Sequence, residues 1–480
     1  VSAPVLIVAD GATAIGAGHQ VRCAALAQAL VARGRAVLMA CRDLPGSTHG
    51  WAWSGLATLV LPAPLDADGL VRAAQAQSAA TVVVIDHYEV GAAATTALAA
   101  AGVAVALIDD DPGRGLAGVV LVANAAPGVL PGEYPTAAVA LGPAHALLRR
   151  AFAGPWSPAA RSARILVMLG GTDASGLLPA AVGALLAAGH DLDVVTAPGG
   201  GAAGGRLAEL AAAHPARVAW RQGLGADEIA GLMRRCRAGL LTPSSVVFEA
   251  AACGLPVAVL PTAGNQRRMV AGLAGAGVPV LDAQRPAGWA AALAAAAAGA
   301  PLAVDGRGAD RVAQRLIELD LPAAPQARLR ACRWDDAGTL LAWANDPETR
   351  AASFASAPIA EPGHRAWLAG RLADPEARLW IVEDPAGGAP VGTLRLARAD
   401  GAATVSITVA PARRGQGWGG RMLAALAAWN RAAAFAPRLV AWVRDDNPAS
   451  LALFATAGYR VDGRAAQAGR PATRFVLEPP

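Results

Sequence analysis

Residues Ala9–Leu26, reading ADGATAIGAGHQVRCAAL, decide the fold. Before them stands the apolar run Val5-Leu6-Ile7-Val8, and after them an Ala- and Leu-rich stretch of helical character. A strand therefore enters a glycine-punctuated loop and leaves as a helix. This is the grammar of a doubly wound α/β domain, in which ligands bind beyond the C-terminal ends of parallel strands. Gly11, Gly16 and Gly18 let the backbone come close to a ligand there. His19 follows at the strand-to-helix turn, where an imidazole is placed to act as a base. The same position also suits a histidine held only by nearby backbone. Asp10 and the glycines Gly16 and Gly18 are read with it as substrate contacts.

The same alternation continues outward. Strands are predicted at Ala36–Ala40, Thr81–Ile85 and Val103–Ile108, with helices at Arg22–Arg33, Leu70–Ser78 and Ala92–Ala101. Continuous Val/Ile/Leu strands joined by Ala-rich helices imply a parallel sheet covered on both faces. Asp86, His87 and Tyr88 follow one strand, and Asp109–Asp111 the next. Strand-end carboxylates of this kind orient a base, bind sugar hydroxyls or simply cap the next helix.

Pro155 and Pro158 break the pattern, and a second unit opens with ILVMLGGTDASG from Ile165. Here a strand meets Gly170 and Gly171 before a helix, so that a turn can deliver backbone N–H groups to a phosphate. Two further loops belong with it: Thr242-Pro243-Ser244-Ser245 ahead of a helix carrying Glu249, and Gly264-Asn265-Gln266. Ser244 and Ser245 suit a diphosphate and Glu249 a ribose, although turn and capping chemistry uses the same residue types. Residues 321–328, LPAAPQAR, read as a linker, and beyond them strands dominate. The expected organisation is an α/β chain of three domains: 1–153 and 154–320, a GT-B-type pair of Rossmann-like halves, and 329–480, an α+β domain. A length of 480 residues suits that number at about 150 residues per domain.

Composition narrows the function classes. The 54% hydrophobic content is largely alanine, and no apolar run is long enough to span a bilayer. With no export signal at its start, the chain is expected to be soluble and cytoplasmic. Five scattered cysteines without C-x-x-C spacing read as reduced thiols, and no metal is expected. A formal charge of +5 is carried by arginine without any lysine, and no basic stripe marks a nucleic-acid surface. Dispersed arginine suits small phosphate-bearing ligands.

In the last domain, RRGQGWGG follows a strand and opens a helix, and Asn447, Ser450, Phe454, Gly458 and Tyr459 come after it. This order resembles the Gcn5-related N-acetyltransferases (GNAT). The resemblance implies acetyl-CoA as acyl donor, bound by Val409, Arg414, Gly415, Gln416, Gly417, Gly419, Gly420, Asn447 and Phe454. With NDPETRAASFASAPI, GHRAWLAGRL and DDNPASLALF, the domain is similar to the N-acetyltransferases that act on a UDP-4-amino sugar in pseudaminic acid biosynthesis.

The first 319 residues resemble the next enzymes of that pathway, the metal-independent UDP-sugar hydrolases of GT-B fold. ADGATAIGAGHQVRCAAL, VVVIDHY, LGPAHALLRRAF, VMLGGTDASG, SSVVFEAAACGLP and AGNQ carry the likeness. It implies hydrolysis of UDP-2,4-diacetamido-2,4,6-trideoxy-β-L-altropyranose, with His19 catalytic and Asn265 at the same site. Substrate contacts are implied for Asp10, Gly16, Gly18, Asp86, Tyr88, Gly170, Gly171, Ser244, Ser245, Glu249 and Gln266. The chain departs from these families at three positions: Val8 stands where an arginine is common, His145 where a tyrosine is, and Phe454 where many acetyltransferases carry a tyrosine general acid. A glycosyltransferase of the same fold, or a hydrolase with a non-catalytic acyl-CoA-binding domain, are the alternatives.

Overall fold

The computed structural model describes residues 3–478, apart from 14, 63–64, 116, 155–160, 171–172, 174, 199–203 and 300, and the side chain of Asn265. Gly171, Thr172 and the Asn265 side chain, named above, thus lie outside the described residues. The chain divides into two compact units. One comprises Val1–Gly118, Ala123–Val129 and Leu141–Ala313; the other comprises Val119–Val122, Leu130–Ala140 and Gln314–Pro480.

The strands run in sequence as β1 Val5–Val8, β2 Val37–Arg42, β3 Thr58–Leu61, β4 Val82–Ile85, β5 Ala104–Ile108, β6 Val119–Asn124 and β7 Ala138–Leu141. They form one sheet in the order β3-β2-β1-β4-β5-β6-β7, with β1 to β5 parallel. Strands β1 and β4 are buried along their whole length, as continuous Val/Ile/Leu runs require when both faces are covered. The order reverses direction between β1 and β4, the switch point at which such sheets leave a crevice. Strands β3, β6 and β7 are absent from the sequence-based reading. The short β3, Thr58–Leu61, buries only Leu61.

A second sheet follows: β8 Ile165–Met168, β9 Leu192–Thr196, β10 Val218–Gln222, β11 Ala238–Leu241 and β12 Val257–Val259, all parallel, in the order β10-β9-β8-β11-β12. Apolar residues from β8, β9 and β11 pack with helices Leu178–Ala187 and Trp289–Ala298 in one core. All five cysteines are buried and unpaired. No helix among the described residues is long and apolar enough to cross a membrane.

The second unit carries β13 Arg328–Ala331, β14 Ala377–Glu383, β15 Pro390–Ala399, β16 Ala402–Val409, β17 Leu439–Arg444, β18 Arg460–Gln467 and β19 Arg470–Leu477. Their order is β13-β14-β15-β16-β17-β19-β18. Every pairing is antiparallel except β16 with β17, which is parallel and joins only Ala403 to Leu439 and Thr404 to Val440. The final hairpin escapes the sequence reading because β18 is almost wholly exposed and lacks an apolar face. Residues 321–328, expected to be a loose linker, are packed instead: Leu321 and Ala324 lie against the core of this unit, and Ala327 is fully buried within it. Apolar side chains inside a Pro- and Ala-rich composition bring that about.

Candidate functional site

The first candidate site forms where β1 and β4 end. The helix that follows β1 begins at Gly18, one turn earlier than the sequence reading, so His19 lies in its first turn. Arg22 stands three residues on, and residues at that spacing share a helix face. Both side chains meet Asp86 at the end of β4. His19 Nδ1 lies 2.7 Å from Asp86 Oδ1, and Arg22 donates to both Asp86 oxygens, at 2.6 and 2.7 Å. Arg22 also donates to Asp110 at 3.1 and 2.9 Å, and the Tyr88 hydroxyl donates to Asp110 at 2.8 Å. The Tyr88 ring meets the His19 ring edge-on, with centroids 4.9 Å apart.

Asp86 is 1% exposed. Burial raises its pKa, but Arg22 first and His19 second outweigh that and hold the carboxyl well below the usual range. An ionised Asp86 accepts from Nδ1–H of His19, which leaves Nε2 as the basic nitrogen. Sequence reasoning named the run Asp109–Asp111 without singling out Asp110, and missed Arg22, whose signal was the three-residue step from His19.

Asp10, read as a substrate contact, is engaged by neighbouring side chains. It is 2% exposed and accepts from the Arg42 backbone N–H at 2.8 Å and its Nε at 2.6 Å, with His87 Nε2 at 3.0 Å. Burial raises its pKa, and the His87 and Arg42 hydrogen bonds bring it below the ordinary value. It is thereby the anchor of β2 beside β1. Gly16 takes φ +84°, a left-handed conformation costly to other residues, and a Cβ there or at Gly18 would meet open space.

In the second sheet, Gly170 ends β8 with φ +91°. Ser244 precedes the helix Ser245–Ala252 without capping it by its side chain. Glu249 is buried and accepts from Arg149 at 2.9 Å; burial pushes its pKa up, against the pull of that arginine. Gln266, read as a substrate contact, ties loops together: its Oε1 accepts from the Thr262 and Ala263 N–H groups, and its Nε2 donates to Thr242 and Thr262. A cavity of about 40 Å³ brings Arg22, Asp110 and His145 together with Ser245, Phe248 and Met269. His145 itself is buried, with Nδ1 2.8 Å from the Leu141 carbonyl oxygen. Among the described residues, no group of three or more His, Cys, Asp or Glu is arranged to hold a metal.

The second candidate site is the gap between β16 and β17. After Thr404 the two strands part, so the edge of β16 from Val405 to Val409 has no strand partner on that side. A cleft of about 690 Å³ opens there, lined among others by Val409, Arg414, Gly415, Gly417, Gly419, Asn447 and Phe454. Gly415 and Gly417 adopt φ +71° and +77°, and Gly417 precedes the helix Trp418–Ala433, whose first turn no side chain caps. Unpaired strand edge and uncapped N–H groups are donors for an extended, phosphate-bearing ligand. Gly419 fits where a Cβ would press on Leu453 at 3.0 Å.

Several of the predicted cofactor contacts are otherwise engaged. Arg414 reaches Asp346, Glu348 and Thr349, and Gln416 donates to the Ala412 carbonyl at 3.0 Å. Gly420 has open space at its Cβ position. Asn447 caps the helix Pro448–Thr456, accepting from the Ser450 N–H at 3.1 Å. Phe454 is 4% exposed and stacks edge-on with Tyr459, whose buried hydroxyl has no hydrogen-bond partner.

Residues 326–460 match the family described as "Acetyltransferase (GNAT) domain". This segment is therefore an acetyltransferase domain, of a kind that takes its acyl group from acetyl-CoA. Solved structures similar to the chain include the spermidine N-acetyltransferase of Vibrio cholerae in complex with CoA and spermine. That likeness has 16% identity, covers 32% of this chain and 97% of that one, and has a TM-score of 0.30. Another is the aminoglycoside acetyltransferase AAC(6')-Ib in complex with coenzyme A, at 16% identity, 32% and 95% coverage and a TM-score of 0.29. A comparison with curated proteins found no significant match.

Proposed function

We propose that this chain is a bifunctional nucleotide-sugar enzyme of nonulosonic acid biosynthesis. Its acetyltransferase domain would acetylate the 4-amino group of a UDP-4-amino-4,6-dideoxy sugar. Its two parallel-sheet domains, 1–153 and 154–320, would act as a GT-B pair that hydrolyses the resulting UDP-2,4-diacetamido-2,4,6-trideoxy sugar to free sugar and UDP. Domain 329–480 then carries the first of two consecutive steps.

The observation that carries the hydrolase half is the His19–Asp86 pair, 2.7 Å apart at the switch point of the first sheet. His19 Nε2 takes a proton from water, and the hydroxide oxygen forms a bond to the anomeric carbon as the bond to the UDP oxygen breaks. Attack opposite the leaving group inverts that carbon. Asp86 keeps the Nδ1–H tautomer and balances the imidazolium; Arg22 shares its charge with Asp110 rather than neutralising Asp86 alone. Backbone N–H groups near Gly170 and at the start of helix Ser245–Ala252 stabilise the departing diphosphate, with Asn265 helping to hold the water.

For acetyl transfer, supporting features are the free β16 edge and the Gly415–Gly417 loop, which offer backbone donors to acetyl-CoA where Arg414 is already paired with acidic residues. One experiment tests both halves. NMR of the intact chain with the UDP-4-amino sugar should show no UDP release before acetyl-CoA is added. N-acetylation, UDP release and an inverted anomeric centre should follow its addition. UDP release that requires a second sugar acceptor would make the first half a glycosyltransferase instead.

A further inference from the structure

A second cavity of the acetyltransferase domain, about 450 Å³, is walled by Trp343, Trp367, His364 and Arg350 and shares Arg395, Ser406 and Thr408 with the β16–β17 cleft. We propose that it is the chamber for the acceptor amine, that His364 takes the proton from that amine, and that Arg395 meets an anionic group on the acceptor. The proposal rests on the acetyl-transfer reading of this domain and names the acceptor side of the same site.

Three observations lead here. The two cavities meet at Ser406 and Thr408, so an amine in one faces a thioester in the other. Among the described residues, no aspartate or glutamate lines the acceptor cavity, and His364 is the one residue of its wall able to take up a proton near neutral pH. His364 is also 3% exposed, yet its Nδ1 has no hydrogen-bond partner. A structural histidine looks different: His145, as deeply buried, is satisfied by the Leu141 carbonyl. His364 instead lies against Trp367, ring centroids 5.4 Å apart, on the helix Glu361–Ala373. Its Nδ1 is closed off from the cavity, so Nε2 is the ring nitrogen left to face the amine.

Arg350 and Arg395 line the same cavity. On the helix of His364, Arg365 is paired with Glu361 at 2.9 Å and Arg371 with Asp374 at 3.2 Å. Of the elements packed against that helix, Ala337–Ala344 brings no charge, β14 brings Arg378, bonded to Glu318, and Glu383, bonded to Arg330, and the turn Pro131–Glu133 brings Glu133. Burial, and Arg365 after it, lowers the His364 pKa. The Arg350 and Arg395 guanidinium groups disfavour an ammonium ion in the chamber, which eases its deprotonation.

Arg395 donates to Ser406 Oγ at 2.8 Å and lies over the Trp367 ring, and among the described residues no carboxylate pairs with it. Arg350, by contrast, already donates to the Ala344 and Ala355 carbonyls and to Ser353. Arg395 is therefore the guanidinium left for a phosphate or carboxylate of the acceptor.

The step balances with acetyl-CoA alone. His364 accepts one proton from R–NH3+, and the free amine adds to the thioester carbonyl. The C–N bond forms, the C–S bond breaks, and the nitrogen's second proton passes to the leaving sulfur. His364 returns its proton to water, giving R–NHAc, CoA–SH and one H+.

CoA release by the full chain would be followed from pH 5.5 to 9.5 with three amines: the UDP-4-amino sugar, glucosamine 6-phosphate and spermidine. Wild-type kcat/KM should rise through one ionisation below histidine's ordinary value of about 6.5 and then level. H364Q and H364N should bind acetyl-CoA as wild type does. At pH 7 they should lose roughly 100-fold in kcat, as removal of a general base does, and regain rate with rising pH. R395Q should raise KM for the two anionic amines at least tenfold. A wild-type rate and pH profile in both His364 variants would overturn the base assignment. Spermidine turned over faster than the anionic amines would overturn the assignment of Arg395. Acetylation of no amine, with acetyl-CoA bound, would overturn the acceptor reading of the domain itself.

Discussion

The two candidate sites are built on opposite plans. At the end of β4, side chains satisfy one another: His19, Arg22, Asp86, Asp110 and Tyr88 form one network. Between β16 and β17 the polar groups are backbone, and they are left without strand partners around a cleft of about 690 Å³. A network fixes the tautomer and direction of one proton-transferring atom, whereas an open edge holds a long ligand along its length. Chemistry that hinges on one base needs the first plan, and a large cofactor carrying its own reactive bond needs the second.

Substitutions can break that contrast. The largest effect is expected from His19→Asn, which should lower UDP release by about 10³-fold or more and leave UDP affinity by calorimetry nearly unchanged. Retained turnover would remove His19 as the base. Asp86→Asn should come next, costing about 3 kcal/mol of folding stability because Arg22 loses a buried partner. Since the folded pKa of Asp86 is depressed, its stabilisation is present above the unfolded value near 4 and fades as pH falls through the folded one. Wild type should accordingly lose stability in acid, and the variant should lose less there, a comparison read by denaturation at pH 7 and pH 3.

Gly417→Val is the matching change in the open site. Forcing φ +77° on a β-branched residue costs about 1–2 kcal/mol. Acetyl-CoA affinity should fall about tenfold or more while UDP release is spared; equal loss of both would mean that the two activities do not separate. The smallest effect is expected from Gln266→Ala, which removes hydrogen bonds between the Thr242 and Thr262 loops. It should lower stability by about 1 kcal/mol, seen as a small shift in thermal midpoint. A loss of UDP affinity beyond that would return Gln266 to the ligand.

Much of this was legible in the sequence for identifiable reasons. β1, β4 and β5 are buried on both faces, so their apolar runs announce themselves, and RRGQGWGG marks the loop before the helix at Trp418 without ambiguity. Strand β18 was hidden because its residues are largely exposed, and β3 because it is only four residues long. Side-chain partners were harder than elements. Asp10 and Asp86 look alike in sequence, each an aspartate just past a strand, yet one is tied to Arg42 and the other to His19 and Arg22. Only the packing of neighbouring strands decides which cation each meets. His364 lies within GHRAWLAGRL, but nothing in that motif marks it as a base.

The packed segment before β13 bears on how such a chain can be divided. Leu321, Ala324 and Ala327 belong to the hydrophobic core of the C-terminal unit, and Glu318 receives two hydrogen bonds from Arg378, at 2.8 and 2.9 Å. The heritable module is thus longer than the stretch from 326 to 460 that carries the family's signature. A chain cut at the Pro- and Ala-rich seam would lose part of the fold, so a version meant to fold on its own should begin upstream, within or before the helix Gly308–Leu319.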